Sequence, residues 1–140
     1  NYLIKRVVGL LREELPQLTQ YATLSPVPGF ATWLKEEQPA SVLSADELKL
    51  LAARYLTTAR NGRGQVRDTV ARFHLGNGAR LEAIHSDADL SANGRKQSHG
   101  VMVNYLYDLA DIEANTFALA EMGTVAVSNA VKALIETEAR

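Results

Sequence analysis

The 140-residue chain has no cysteine, which removes disulfides, thiolate metal sites and a cysteine nucleophile at once and suits a reducing compartment. It also lacks an excess of either charge, with 15 Lys and Arg against 16 Asp and Glu. Such a balance provides no global field to draw in nucleic acid or an anionic membrane, so any anion site must be local. Apolar runs fall well short of the roughly 20 residues a membrane-crossing helix needs, and the first residues show no basic-then-apolar secretory pattern. The three histidines have no tight spacing such as HExxH, so a zinc site is not expected. Glu138-Ala139-Arg140 is not a peroxisomal address. Neither a membrane nor a nucleic-acid partner is expected, and the chain is expected to be soluble and cytoplasmic. It has one domain's worth of length. Because it starts at Asn1 already in a helical pattern, it is read as part of a longer polypeptide.

What is present is a succession of short, punctuated elements. Leu3, Ile4, Val7, Val8, Leu11 and Leu15 recur at helical spacing with charges between them, and Pro16 ends that helix. Tyr21 to Ser25 predicts a strand, closed by Pro26 and Pro28, and Phe30 to Lys35 begins a helix. Ser44 and Glu47 stand three apart as a capping box, opening a helix that runs to about Ala59. Val66, Val70 and Phe73 make a short helix that places His74 at its end. Strands are predicted over Ala79–Ile84 and Val101–Tyr107, paired antiparallel, with a polar loop from Asp87 to Gln97 between them. From about Glu113 to Thr137 the pattern is helical, with a break at Gly123. Helices layered on a mostly antiparallel sheet give an α+β class.

Two stretches couple a proton-moving or hydrogen-bonding side chain to a constrained backbone: Thr23-Leu24-Ser25-Pro26-Val27-Pro28-Gly29-Phe30 and Ala71-Arg72-Phe73-His74-Leu75-Gly76-Asn77-Gly78. With Leu3-Ile4-Lys5-Arg6-Val7-Val8 and Ser98-His99-Gly100-Val101-Met102-Val103-Asn104-Tyr105-Leu106-Tyr107, they resemble, in family order, the malonyl-CoA decarboxylases. The resemblance covers most of the chain and is loosest between Lys35 and Lys49 and in the last helix. It implies the C-terminal portion of a GNAT-like acyltransferase fold with a mixed or antiparallel sheet flanked by helices. On this reading residues 1–140 lack the family's N-terminal helical domain and early CoA-binding strands.

The implied activity is decarboxylation of malonyl-CoA to acetyl-CoA and carbon dioxide with no cofactor. The resemblance assigns His74 as proton donor, suited by an ordinary imidazole pKa near 6.5, and Ser25 as the hydroxyl that orients the malonyl group. Tyr107 aligns with a tyrosine near the family's site, and strand packing and a functional role both stand open for it. Lys5 and Arg6, in the first turns of the first helix, are assigned to the CoA phosphates, where a helix N-terminus favours anions. A homo-oligomer is expected.

His85 and His99 are read as structural. Asp89 is read as a loop anchor rather than the third member of a Ser25-His74-Asp89 triad. Leu24-Ser25-Pro26 is not a Gly-x-Ser-x-Gly elbow, and the proline removes an N–H that such an oxyanion hole would use. The cluster Arg54, Arg60, Arg63, Arg67 and Arg72 has too many interspersed acids and too few aromatics for a nucleic-acid platform. Where family members commonly carry Asn-Trp, this chain has Ile84-His85-Ser86-Asp87, which implies altered local packing or acyl preference. Two other readings stand beside this one: a GNAT-type acyl-CoA-dependent acyltransferase and a non-catalytic helical interaction domain.

Overall fold

The computed structural model describes residues 6–7, 9–10, 13–15, 17–37 and 42–138, the last two by backbone alone. The described part of residues 6–14 is helical. Lys5, the start of that helix, Pro16 and the Gln38-Pro39-Ala40 loop lie outside the described residues. Among the described residues no helix is long and apolar enough to cross a membrane.

Three strands, β1 (Gln20–Pro26), β2 (Arg80–His85) and β3 (Met102–Asp108), form an antiparallel sheet in the order β1-β3-β2. Register sets the faces. Opposite one another stand Tyr21 and Tyr107, Thr23 and Tyr105, and Ser25 and Val103, so these six side chains share one side of the sheet. The alternate positions place Ala22 across from Leu106 and Pro26 across from Met102 on the other side, where Leu24 remains 59% exposed. In β2 a bulge between Leu81 and Ala83 explains why strict alternation breaks at Ile84: one extra residue lets Leu81 and Ile84 both bury.

Helices cover the tyrosine-bearing face. α1 (Phe30–Glu37) and α2 (Ala45–Thr58) pack on each other through Phe30, Trp33 and Tyr55, with the Trp33 and Tyr55 rings 5.3 Å apart. Such aromatic pairs contribute about 0.5–1.5 kcal/mol beyond their area burial. The predicted capping box is formed: Ser44 Oγ accepts from Glu47 N–H, and Glu47 accepts from Ser44 N–H. α3 (Thr69–Gly76) is capped by Asp68 and holds His74 in its last turn. Val66 precedes this helix and bridges Arg60 instead.

The polar stretch expected as a loop contains a helix, α4 (Ala92–Ser98). Its start is fixed by Ser91 Oγ, which accepts from Gly94 N–H. Gly94, which suggested a turn beside Asn93, is buried against the Asp89 carboxylate, where a Cβ would collide with the Asp89 Cγ. The C-terminal region divides at Gly123 into α5 (Ile112–Met122) and α6 (Asn129–Glu138), with Gly123 in the left-handed conformation at φ 67°. Between them the chain pairs with β2: Leu81 N–H donates to Ala126 O, and Ser128 N–H to Leu81 O.

Candidate active site

Ser25 is the next-to-last residue of β1, with its side chain on the covered sheet face, and Pro26 and Pro28 restrict the backbone around and after it. α3 lies over that face and delivers His74. The imidazole stacks on the Tyr105 ring, with centroids 4.6 Å apart and planes at 21°. Its two nitrogens face different partners. Nδ1 lies 2.7 Å from the Tyr107 hydroxyl, and Nε2 lies 3.4 Å from Ser25 Oγ. Ser25 Oγ in turn lies 3.0 Å from Thr23 Oγ1. The result is a continuous polar chain, Thr23–Ser25–His74–Tyr107, on the floor formed by β1 and β3.

Burial tunes this chain. Ser25 is 5% and His74 8% exposed. Loss of hydration pushes the His74 pKa below its usual 6.5, because the charged imidazolium is penalised more than the neutral ring. The same cause raises the Tyr107 hydroxyl to about 12, so at neutral pH it keeps its proton. A protonated phenol donating to Nδ1 leaves the neutral ring's single N–H on Nε2, facing Ser25. The Tyr105 hydroxyl is buried with no hydrogen-bond partner among the described residues, and burial raises its pKa strongly.

Ser25, His74 and Tyr107, separated by up to 82 positions, are thus brought together. Asp89 is not with them: its Oδ1 accepts from Ser91 N–H and Ser91 Oγ, so it anchors the start of α4. His85 ends β2 and pairs through Nε2 with Asn104 Oδ1 at 2.6 Å, while Asn104 donates its amide to Thr23 O. His99 is the left-handed C-cap of α4 and meets the Phe30 ring edge-on. Lys5 lies outside the described residues. Arg6 is exposed in the helical segment at the chain start.

Two of the clustered arginines serve the backbone. Arg60 donates to Thr57 O, Ala59 O and Gly123 O, and Arg72 to Val66 O and Arg67 O. Arg67 pairs with Glu36 at 2.8 Å. Arg60, Arg63 and Arg72 line a separate cleft of about 400 Å³ between α3 and α5.

Asp68 was not legible as part of the site. Asp68 is 1% exposed, and its carboxylate joins the start of α3 to Gly29 beside Tyr55. Asp before a helical run signals a cap, but nothing in the sequence shows what the second oxygen meets.

The three-stranded antiparallel sheet with its flanking helices, and a histidine presented over it, define an α+β domain with a buried polar site. The family model for the malonyl-CoA decarboxylase C-terminal domain matches residues 1–48 and 35–140. A crystal structure of malonyl-CoA decarboxylase from Rhodopseudomonas palustris superposes with TM-score 0.84 at 45% identity, covering 96% of this chain and 37% of that one. The corresponding structure from Agrobacterium vitis gives 0.82 at 44% identity, covering 96% and 40%. The mouse protein named "Malonyl-CoA decarboxylase, mitochondrial" is 30% identical over 96% of this chain and 37% of its own length. The chain belongs to the malonyl-CoA decarboxylase family, whose C-terminal domain it carries, and it spans well under half the length of these relatives.

Proposed function

We propose that the protein decarboxylates malonyl-CoA to acetyl-CoA and carbon dioxide, with Ser25, His74 and Tyr107 as its reacting groups and no metal or organic cofactor. The observation that carries this reading is the Ser25–His74–Tyr107 hydrogen-bonded chain on one buried sheet face, in a chain of this family. In the reaction the bond between the carboxylate carbon and the α-carbon breaks. Its electron pair passes into the thioester, giving an enolate, and carbon dioxide leaves. Ser25 Oγ orients the departing carboxylate. His74 then gives its Nε2 proton to the α-carbon while the Tyr107 hydroxyl passes its own to Nδ1, and one proton taken up from water returns the pair to its starting state. A thioester enolate is a strong base, so a neutral imidazole suffices as donor, and the lowered pKa of His74 suits that role.

Residues 1–140 are proposed to form the C-terminal portion of the catalytic unit, with Lys5 and Arg6 directed at the CoA phosphates. The reading extends to a cytoplasmic homo-oligomer acting without nucleic acid or membrane. The near-even charge supports the last point. The mitochondrial names of curated relatives pull against the compartment, so cell fractionation and light scattering test these parts.

The central experiment incubates chelator-treated full-length protein with malonyl-CoA and separates the products. Acetyl-CoA with stoichiometric carbon dioxide is expected. Acyl transfer to an amine without carbon dioxide release would instead establish the acyltransferase reading, and the absence of any turnover the interaction domain.

A further inference from the structure

We propose that Asp68 is a positioning residue that sets the approach of His74 to Ser25, an inference that rests on the reading of those two as the reacting pair. Its Oδ1 accepts from Val70 N–H at 3.1 Å and Ala71 N–H at 3.0 Å, which starts α3. Its Oδ2 accepts from Gly29 N–H at 3.2 Å, and the Tyr55 hydroxyl lies close by, its pKa raised by burial and by the Asp68 charge. One buried side chain therefore ties the helix that carries His74 to the turn that follows Ser25, beside Tyr55 of α2.

A cap alone does not call for a carboxylate, since Asn caps a helix as well as Asp does. The second oxygen is what distinguishes them here. It must accept from a backbone N–H, and the amide of an asparagine has only donors to offer at that position. The linkage is short and stiff on both sides. Gly29 lies four residues from Ser25 across Pro26 and Pro28, whose φ angles are fixed, and His74 lies six residues along an unbroken helix from Asp68, a rise of about 9 Å. Gly29 packs closely on Tyr55, where a Cβ would collide with the Tyr55 hydroxyl. At 3.4 Å the Ser25–His74 contact is already long for a hydrogen bond. A displacement of a few tenths of an ångström breaks it, and misplacement of reacting groups by about 1 Å costs around 10²-fold in rate.

The test uses the full-length protein with 15N-labelled histidine. Asp68→Asn keeps the capping oxygen and removes the second acceptor. Its kcat on malonyl-CoA should fall about tenfold with KM changed less than about twofold, and the His74 ring resonances should shift. In a His74→Ala background the same change should lower kcat no further. Tyr55→Phe, which leaves the cap and the Gly29 bond in place, should move the same resonances less and lower kcat about threefold, and it decides the matter if Asp68→Asn does not fold. Unchanged His74 resonances and kcat in a folded variant would overturn the proposal, as would a full additional loss in the His74→Ala background. Full decarboxylation by His74→Ala would overturn the functional reading instead, and the ring resonances would still report whether Asp68 sets the imidazole's place.

Discussion

At the scale of single residues, the site depends on His74 being buried and neutral. Burial holds its pKa below the usual 6.5, so as pH falls through that value the unfolded chain takes up a proton before the folded protein does. The unfolded state then binds more protons, and stability declines from about pH 6.5 downward until the lowered folded pKa is passed. A thermal-melt series should show this acid-side fall in the wild type and a shallower one in His74→Gln; equal slopes would place the sensitivity elsewhere. For turnover, His74→Ala and Ser25→Ala should each lose roughly 10²-fold or more, the scale of a positioned general acid or charge-stabilising donor. Tyr107→Phe removes the group that keeps the proton on Nε2 and should fall between these and the wild type. His85→Ala should be mild, because His85 pairs with Asn104, which stands opposite Leu24 on the sheet face away from His74. Steady-state kinetics on folded variants checks all four. Ser25 and His74 could be picked out because rigid local sequence surrounds each. Thr23 and Asp68 could not, since their roles come from register and from a second carboxylate oxygen, neither of which leaves a local signature.

Among the elements, α4 shows most clearly how local composition misleads. Asp87 to Gln97 is polar and contains Asn93-Gly94, which in isolation is turn chemistry. The helix forms because Ser91 caps it and because Gly94 allows the helix to sit directly on Asp89. Gly94→Ala, normally favourable in a helix, should therefore destabilise the protein by about 1–3 kcal/mol, the cost of overpacking, as read from a denaturant titration. A neutral or stabilising result would mean Asp89 can move aside freely. The capping box of α2 and the strands β2 and β3 were legible because each is written in near-neighbour residues. The bulge in β2 was visible only as an irregularity at Ile84, since the partner strand determines which residue is the extra one. The pairing of residues 126–128 beside Leu81 is a contact over some 45 positions and has no local pattern to announce it.

At the scale of the whole molecule, the described residues present a sheet covered on one face and open at one edge. Among the described residues β1 pairs only with β3, which leaves its outer ladder unsatisfied. Leu24 is exposed on the side away from His74. The solved relatives are more than twice as long, with this chain covering 37% and 40% of two of them. An open strand edge beside a bared apolar residue favours association. Binding energy from the remote nucleotide of CoA normally positions the reacting thioester. On the proposed reading much of that handle site belongs to the longer polypeptide. Residues 1–140 expressed alone should therefore bind malonyl-CoA weakly, release little carbon dioxide and elute as associated species, whereas the full-length protein should do neither of the first two. Calorimetric titration of both with CoA, carbon dioxide release from malonyl-CoA and size-exclusion with light scattering make the comparison. Full activity in the 140-residue segment would show that the nucleotide is held by residues within it, with the Arg60–Arg63–Arg72 cleft the first place to look.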